Sequence, residues 1–251
     1  MKVSWKNQAL KTIIPTLENG DHLTRIEFEN RYSKSNIKKA ELIEGIVYMA
    51  SPLRITKHGE PHASIMGWLL LYRAATPGVQ LGDNSTVRLD GDNEPQPDAL
   101  LRIENDGQSI ISEDGYVEGA PELIVEIAAS SVSFDVHDKL KVYRRNQVQE
   151  YLVWRVEDGE IDWFRLKSGE YIQLQPNSEG RICSEIFPGL WLDKAALLTG
   201  DLMKVIEVVQ PGLWLDKAAL LTGDLMKVIE VVQLGLATVE HQNFVDNLGN
   251  L

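Results

Sequence analysis

Cysteine occurs once in the 251 residues, at Cys183. That excludes an intrachain disulfide framework and a cysteine-built zinc cluster. Long apolar runs are also missing: the longest, MGWLLLY at 66–72, is far short of the roughly 20 residues needed to cross a bilayer. The opening segment MKVSWKNQALKTIIPTL has neither the unbroken apolar core nor the small-residue cleavage site of a secretory signal, so a cytoplasmic location is expected. No glycine-rich loop has the spacing of a nucleotide-phosphate cradle. Basic residues are scarce, 25 Lys and Arg against 37 Asp and Glu, and the net charge of −12 argues against avid sequence-independent DNA binding through counterion release.

That deficit is unevenly placed. Residues 1–80 carry 11 basic and 7 acidic groups, a net +4, whereas 81–170 carry 9 and 20, a net −11. The positive N-terminal part, with Arg25, Arg31, Lys34, Lys38, Lys39, Arg54 and Lys57, offers groups that could face a phosphate backbone or stand solvated. The acidic middle is where bound cations would offset charge.

What the chain does contain is an ordinary globular composition, 43% hydrophobic and 25% charged. Its length suits one catalytic domain with an appendage. Thr24-Arg25-Ile26-Glu27 matches a capping box and predicts a helix to about Ser33. A strand is expected over Glu41–Met49 and a helix over Pro61–Ala74, bounded by Pro77-Gly78. Strands are expected at Thr86–Leu89, Ala99–Ile103 and Leu123–Ile127. A helix follows at Phe134–Asn146, then strands at Glu150–Val156, Ile161–Leu166 and Tyr171–Leu174. This order predicts a mixed α/β sheet with acidic residues on its central strands.

Three of those residues carry chemistry. Pro97-Asp98 opens one apolar run, Glu126 nearly closes another in Leu123-Ile124-Val125-Glu126-Ile127, and Lys139 stands a short way beyond. Two carboxylates from neighbouring strands can hold a hard cation such as Mg²⁺, which prefers oxygen ligands and usually takes one or two carboxylates. The backbone carbonyl of Ile127 is a further candidate ligand. A nearby ammonium can orient a nucleophile or stabilise a phosphodiester transition state. With 37 acidic residues, an Asp and a Glu beside apolar runs also read as solvated strand ends, Pro97-Asp98 as turn chemistry, and Lys139 as a surface helix lysine. Glu126 differs, because a carboxylate in a run that reads as buried needs a partner.

These residues, with ELIEGIVYMASP at 41–52, HGEPHASIMGWLLLY at 58–72, PQPDALLRI at 95–103, PELIVEIAASSVSFDVHDKLKVYRRNQVQEYLVW at 121–154 and FPGLWLD at 187–193, resemble the Uma-type branch of the PD-(D/E)XK nuclease superfamily. The resemblance runs over roughly residues 20–200. It implies a restriction-endonuclease-like fold over residues 1–187 and cleavage of DNA phosphodiesters dependent on Mg²⁺ or Mn²⁺. The superfamily lysine usually stands two residues after the glutamate, where this chain has Ala128. In the Uma-type branch it sits on the next helix in a D-x-x-x-K-x-x-x-Y pattern, matched by Asp135, Lys139 and Tyr143. Spacing of four places all three along one helix face. Lys141 falls on another face. The first serine usual after the glutamate is replaced by Ala129, and Ser131 matches the next one. Glu41 matches a family acidic position and would support the site. The competing class is a nuclease-fold protein without catalysis, binding nucleic acid or a protein partner.

Two weaker signals remain in the same stretch of chain. His58-Gly-Glu-Pro-His62 has metalloprotease-like histidine spacing, but Gly59 and Pro61 predict a broken helix and the glutamate is misplaced, so zinc is rejected and a capping or packing role is expected of His62. Asp90–Glu94 is expected to form a surface turn.

Finally, PGLWLDKAALLTGDLMKVIEVVQ at 188–210 recurs unchanged at 211–233. Two copies do not make a solenoid, and complete identity points to a recent duplication. Phe187 precedes only the first copy, which is assigned to the native slot of the fold, and 188–251 is expected to form a C-terminal extension that carries both copies. The surplus copy exposes Leu213, Trp214 and Leu215 to the need for burial, so a homodimer or larger assembly is expected, with a loosely docked appendage as the alternative.

Overall fold

The structure, a computed structural model, describes residues 14–49, 52–129 and 134–208 and residues 243 and 246, with the backbone alone at 134–136. Its elements run α1 (Arg25–Tyr32), β1 (Ala40–Ile43), β2 (Ile46–Met49), α2 (Glu60–Ala74), β3 (Val79–Asp83), β4 (Val87–Arg88), β5 (Ala99–Ile103), β6 (Ile110–Ile111), β7 (Val117–Glu118) and β8 (Leu123–Ala128). There follow α3 (Leu140–Arg145), β9 (Glu150–Arg155), β10 (Glu160–Lys167), β11 (Glu170–Gln173), β12 (Arg181–Cys183), β13 (Trp191–Asp193), α4 (Lys194–Thr199) and α5 (Leu202–Glu207). Thr24 caps α1, its side chain accepting the Glu27 amide, as the capping box predicts.

The expected strand Glu41–Met49 is instead a hairpin. Glu44 and Gly45 take φ values of 53° and 72°, the left-handed pair that a two-residue turn between twisted strands requires. A six-stranded sheet in the order β11-β10-β9-β8-β5-β3 forms the centre. It is mixed: β8 and β9 run parallel, and every other neighbouring pair is antiparallel. The parallel pair is bridged by α3, as parallel connections demand a crossover.

Because side chains alternate along a strand, the sheet separates two cores. On one face Leu101, Leu123, Val125, Leu152 and Trp163 pack against Ile65, Trp68 and Tyr72 of α2. On the other, Leu100, Ile124, Tyr151 and Val153 pack against Val142 and Tyr143 of α3, with Ile43 from the hairpin. Helices thus flank both faces. All six residues of β8 are buried, including Glu126. A strand enclosed on both faces reads as a continuous apolar run, which makes its one carboxylate conspicuous.

The first repeat copy closes the first core. Leu190, Leu192, Ala196, Leu197 and Val205 are buried there, while Trp68 and Tyr72 of α2 donate to the carbonyls of Trp191 at 2.9 Å and Pro188 at 3.1 Å. The unit carries two short helices: Gly200, at φ 76°, ends α4, and Asp201 caps α5. The second copy, 211–233, lies outside the described residues, and so does any assembly built on it.

Asp90–Glu94, expected at the surface, is only partly there. Asn93 and Glu94 are buried, and the backbone of Glu94 pairs with that of Leu42 on β1. Burial and the adjacent Glu29 push the Glu94 carboxyl up to about 8.

Glu150, at the start of β9, is fully enclosed. Its carboxylate accepts the Ser184 hydroxyl at 2.8 Å and the amides of Glu185 at 2.7 Å and Ile186 at 3.2 Å. Burial outweighs these donors and raises the carboxyl from 4.5 to about 7. A raised carboxyl destabilises the fold once it must ionise, so stability declines as pH rises from 4.5 and levels off above about 7. Relative to the parent, Glu150→Gln is therefore expected to gain in melting temperature between pH 4 and pH 8. Melting curves at the two pH values check this.

Candidate active site

The pairing of β5 with β8 places the two carboxylates side by side. Ala99 pairs with Val125, and one further step along this antiparallel register sets Asp98 opposite Glu126. Directly opposed residues project to one face, with Cβ atoms about 5 Å apart. Both carboxylates belong to buried residues, each 4% exposed.

Asp98 is held from three directions. Its Oδ2 accepts the Ile127 amide at 2.7 Å, while Oδ1 lies 3.1 Å from His58 Nε2 and 3.7 Å from Lys39 Nζ. Burial pushes the Asp98 carboxyl up, but the His58 hydrogen bond, the Lys39 charge and the Ile127 amide together hold it below the usual aspartate value. Glu126 is engaged separately: its Oε1 accepts Lys139 Nζ at 2.9 Å and the Tyr143 hydroxyl at 2.7 Å. Lys139 also reaches Glu41 on β1 at 3.0 Å, and Glu41 accepts the Gln96 amide at 2.7 Å. Burial, with the charges of Glu126 and Glu41 adding to it, raises the Tyr143 hydroxyl well above its ordinary value, so it stays a donor.

Lys139 ends a π-helical turn, Phe134–Lys139, that leads into α3. Lys139 and Tyr143, four residues apart, therefore meet Glu126 from one side. Ala128, where the superfamily lysine would stand, is a buried part of the second core. The ammonium enters instead from the π-helical turn that leads into α3. Lys141 points elsewhere, two-thirds exposed and 3.6 Å from Asp138. The side chain of Asp135 and the whole of Ser131 lie outside the described residues.

Ile127 directs its amide to Asp98, and its neighbour Ala128 gives its carbonyl to Val156 at 3.0 Å on the opposite, β9 side. Alternate strand residues aim their peptide groups to opposite sides, so the Ile127 carbonyl faces the Asp98 side. Two carboxylates and a peptide carbonyl would offer an all-oxygen donor set, of the kind that suits Mg²⁺ or Mn²⁺ rather than a soft metal. Among the described residues no group of three or more His, Cys, Asp and Glu is arranged to hold a metal; any ion would rest on the carboxylate pair and substrate oxygens, as Mg²⁺ commonly does.

The helix break expected between the two histidines does not occur. A π-helical turn at Ile55–Gly59 runs directly into α2, and the wider turn carries the chain through Gly59 and Pro61 without a break. Pro61 stands in the first turn of α2, where a missing N–H costs little. His58 and His62 consequently lie with ring centroids 5.7 Å apart. His58 holds Asp98, and His62 Nε2 lies 3.0 Å from the Asp98 carbonyl and 3.1 Å from Asp83 Oδ1. The i, i+4 spacing was the available signal for both. Several N-terminal cations considered for a phosphate backbone are instead paired: Arg25 with Glu29 and Glu118, Arg31 with Asp21 and Glu27, Lys57 with Glu157, Lys39 with Asp98.

Among solved structures, a putative nuclease belonging to DUF820 from Anabaena variabilis is similar, with a TM-score of 0.54 at 15% sequence identity, over 68% of this chain and 96% of that one. At that identity the likeness establishes the fold. No curated protein matches the sequence. Residues 26–195, about two-thirds of the chain, match the model of the Uma2 family, described as putative restriction endonuclease. The family's description supports a nuclease, and restriction-endonuclease-like families generally use divalent metals. The chain belongs to the Uma2 family of restriction-endonuclease-like proteins.

Proposed function

We propose that the protein is an endonuclease that hydrolyses DNA phosphodiesters with Mg²⁺ or Mn²⁺ at Asp98 and Glu126. One observation carries the reading: strand register sets two buried carboxylates side by side while the π-helical turn before α3 delivers a buried lysine to one of them. Asp98, Glu126 and the Ile127 carbonyl would hold the ion, and Lys139 is the third catalytic group. A bound divalent ion supplies an acidified water and neutralises phosphate charge.

The chain's own groups do the rest. Tyr143 donates to Glu126 and fixes its rotamer, and the Ile127 amide does the same for Asp98. Glu41 shares Lys139 with Glu126, so the ammonium has a second anchor when it turns toward a phosphate oxygen. There it stabilises charge developing in the transition state. Net acidity keeps non-specific DNA affinity low and salt-sensitive. The duplicated unit, with its Leu-Trp-Leu segment, supports a homodimer, and sedimentation across a wide concentration range tests that; a monomer throughout would remove it.

Supercoiled plasmid tests the activity. Nicking is expected with Mg²⁺ or Mn²⁺ and not with chelator, and it should vanish in Asp98→Ala and Glu126→Ala. Absence of nicking under every metal condition would favour a binding protein on a nuclease fold, a reading consistent with the internal pairing of both carboxylates.

A further inference from the structure

Next to Asp98, on the same face of the sheet, lies a cavity of about 380 Å³ between the β3–β4 turn, β5 and the β6–β7 hairpin. Its floor is Gly82, Leu100 and Arg102, and its rim includes Ser85, Ile111 and Tyr116. Leu100 is two positions beyond Asp98, about 7 Å along the strand. The turn above it is tied to the carboxylate, because the Asn84 amide donates to the Asp98 carbonyl at 3.2 Å and Lys39 spans Asn84 Oδ1 at 2.8 Å and Asp98 Oδ1 at 3.7 Å. Whatever fills the cavity therefore sits beside a phosphodiester held at Asp98.

The lining specifies the ligand. Ile111 and Tyr116 are large apolar side chains left 46% and 41% exposed at the rim. The Arg88 guanidinium stacks 4.4 Å from the centre of the Tyr116 ring, fixing it in place. Gly82 keeps the floor open, since a Cβ there would stand 2.9 Å from Ser85 Oγ and 3.0 Å from Leu100. An aromatic platform, short polar groups and a volume at the small end of the usual 300–1,000 Å³ ligand range fit one flat, polar-edged heterocycle. A duplex cannot enter.

We propose that this cavity receives an unstacked nucleobase of the strand being cleaved, one nucleotide from the scissile phosphate, with Tyr116 as its stacking surface. The inference rests on the nuclease reading above. It makes single-stranded or locally opened DNA the preferred substrate, because a paired base must first be extruded.

Binding in Ca²⁺ tests it without cleavage. Fluorescence anisotropy would compare a labelled single strand of 12 thymidines, on the order of one site length for a single-strand-binding fold, with a base-free abasic strand of equal length. The intact chain is expected to prefer the base-bearing strand. Tyr116→Ala should weaken that strand at least about five-fold, the lower range for one stacked base, leave the abasic strand unchanged, and be rescued by Tyr116→Phe. Equal losses on both strands, or none on either, would overturn the pocket while leaving the nuclease reading standing. Failure of the intact chain to bind either strand would likewise overturn the pocket, and nicking of the plasmid would decide the nuclease reading separately. Competition by free thymidine monophosphate separates the source: equal affinity for the free nucleotide would make the cavity a mononucleotide site and overturn the strand assignment.

Discussion

Replacing Lys139 with methionine is expected to lower cleavage per folded molecule by about 100-fold or more, the scale on which a single group stabilising transition-state charge acts. The same change should lower the melting temperature by on the order of 10 °C, because removing one partner of a buried ion pair strands the other. Lys139 is 3% exposed and is shared by Glu126 and Glu41; methionine fills its volume and leaves two carboxylates facing each other. Millimolar Mg²⁺ should return part of the lost stability, since an ion that binds only the folded chain shifts the equilibrium toward it. It should not return the activity. A purely structural lysine would behave otherwise: once Mg²⁺ restored the fold, cleavage per folded molecule would return to that of the parent.

Asp98→Asn is expected to abolish detectable nicking and Mn²⁺ binding by calorimetry together. Loss of groups that merely support metal ligands costs 10–100-fold, and removal of a ligand charge should exceed that. The fold should survive, because the asparagine carbonyl can still accept the Ile127 amide. A smaller stability loss follows from the charge: the Asp98 carboxyl is held below its ordinary value by His58, Lys39 and the Ile127 amide against the cost of burial. A depressed carboxyl stabilises the fold above its unfolded value near 3.8, and that contribution disappears as pH falls through the folded value. Parent and variant should thus differ in melting temperature at neutral pH and converge in strong acid.

Much of this site is legible in the sequence where the local pattern and the tertiary requirement agree. Ala99–Ile103 has the boundaries its apolar run predicts, and the argument that Glu126 needs a partner leads to Lys139 and Tyr143, both of which touch it. Four-residue spacing on a helix face is enough to place those two. Pairing between Asp98 and Glu126 is different, since register depends on contacts across the sheet. Lys39 reaches Asp98 from a segment remote in sequence, and no local pattern carries that information.

His58 is hidden for another reason. Gly59 and Pro61 are breakers by propensity, and only a widened turn, which sequence periodicity does not encode, keeps the helix continuous. The hairpin inside Glu41–Met49 is masked because Glu44 takes a left-handed conformation that few glutamates adopt. β6, β7, β12 and β13 are two or three residues long. Alternation needs four or more residues to be visible.

The most direct measurement is the position of Mn²⁺ in a crystal of the protein soaked with the ion, located by anomalous scattering. The account predicts a peak within about 2–2.5 Å of carboxylate oxygens of both Asp98 and Glu126, with Lys139 displaced from Glu126. A peak at any other carboxylate cluster, or none at a concentration that supports cleavage, would contradict it.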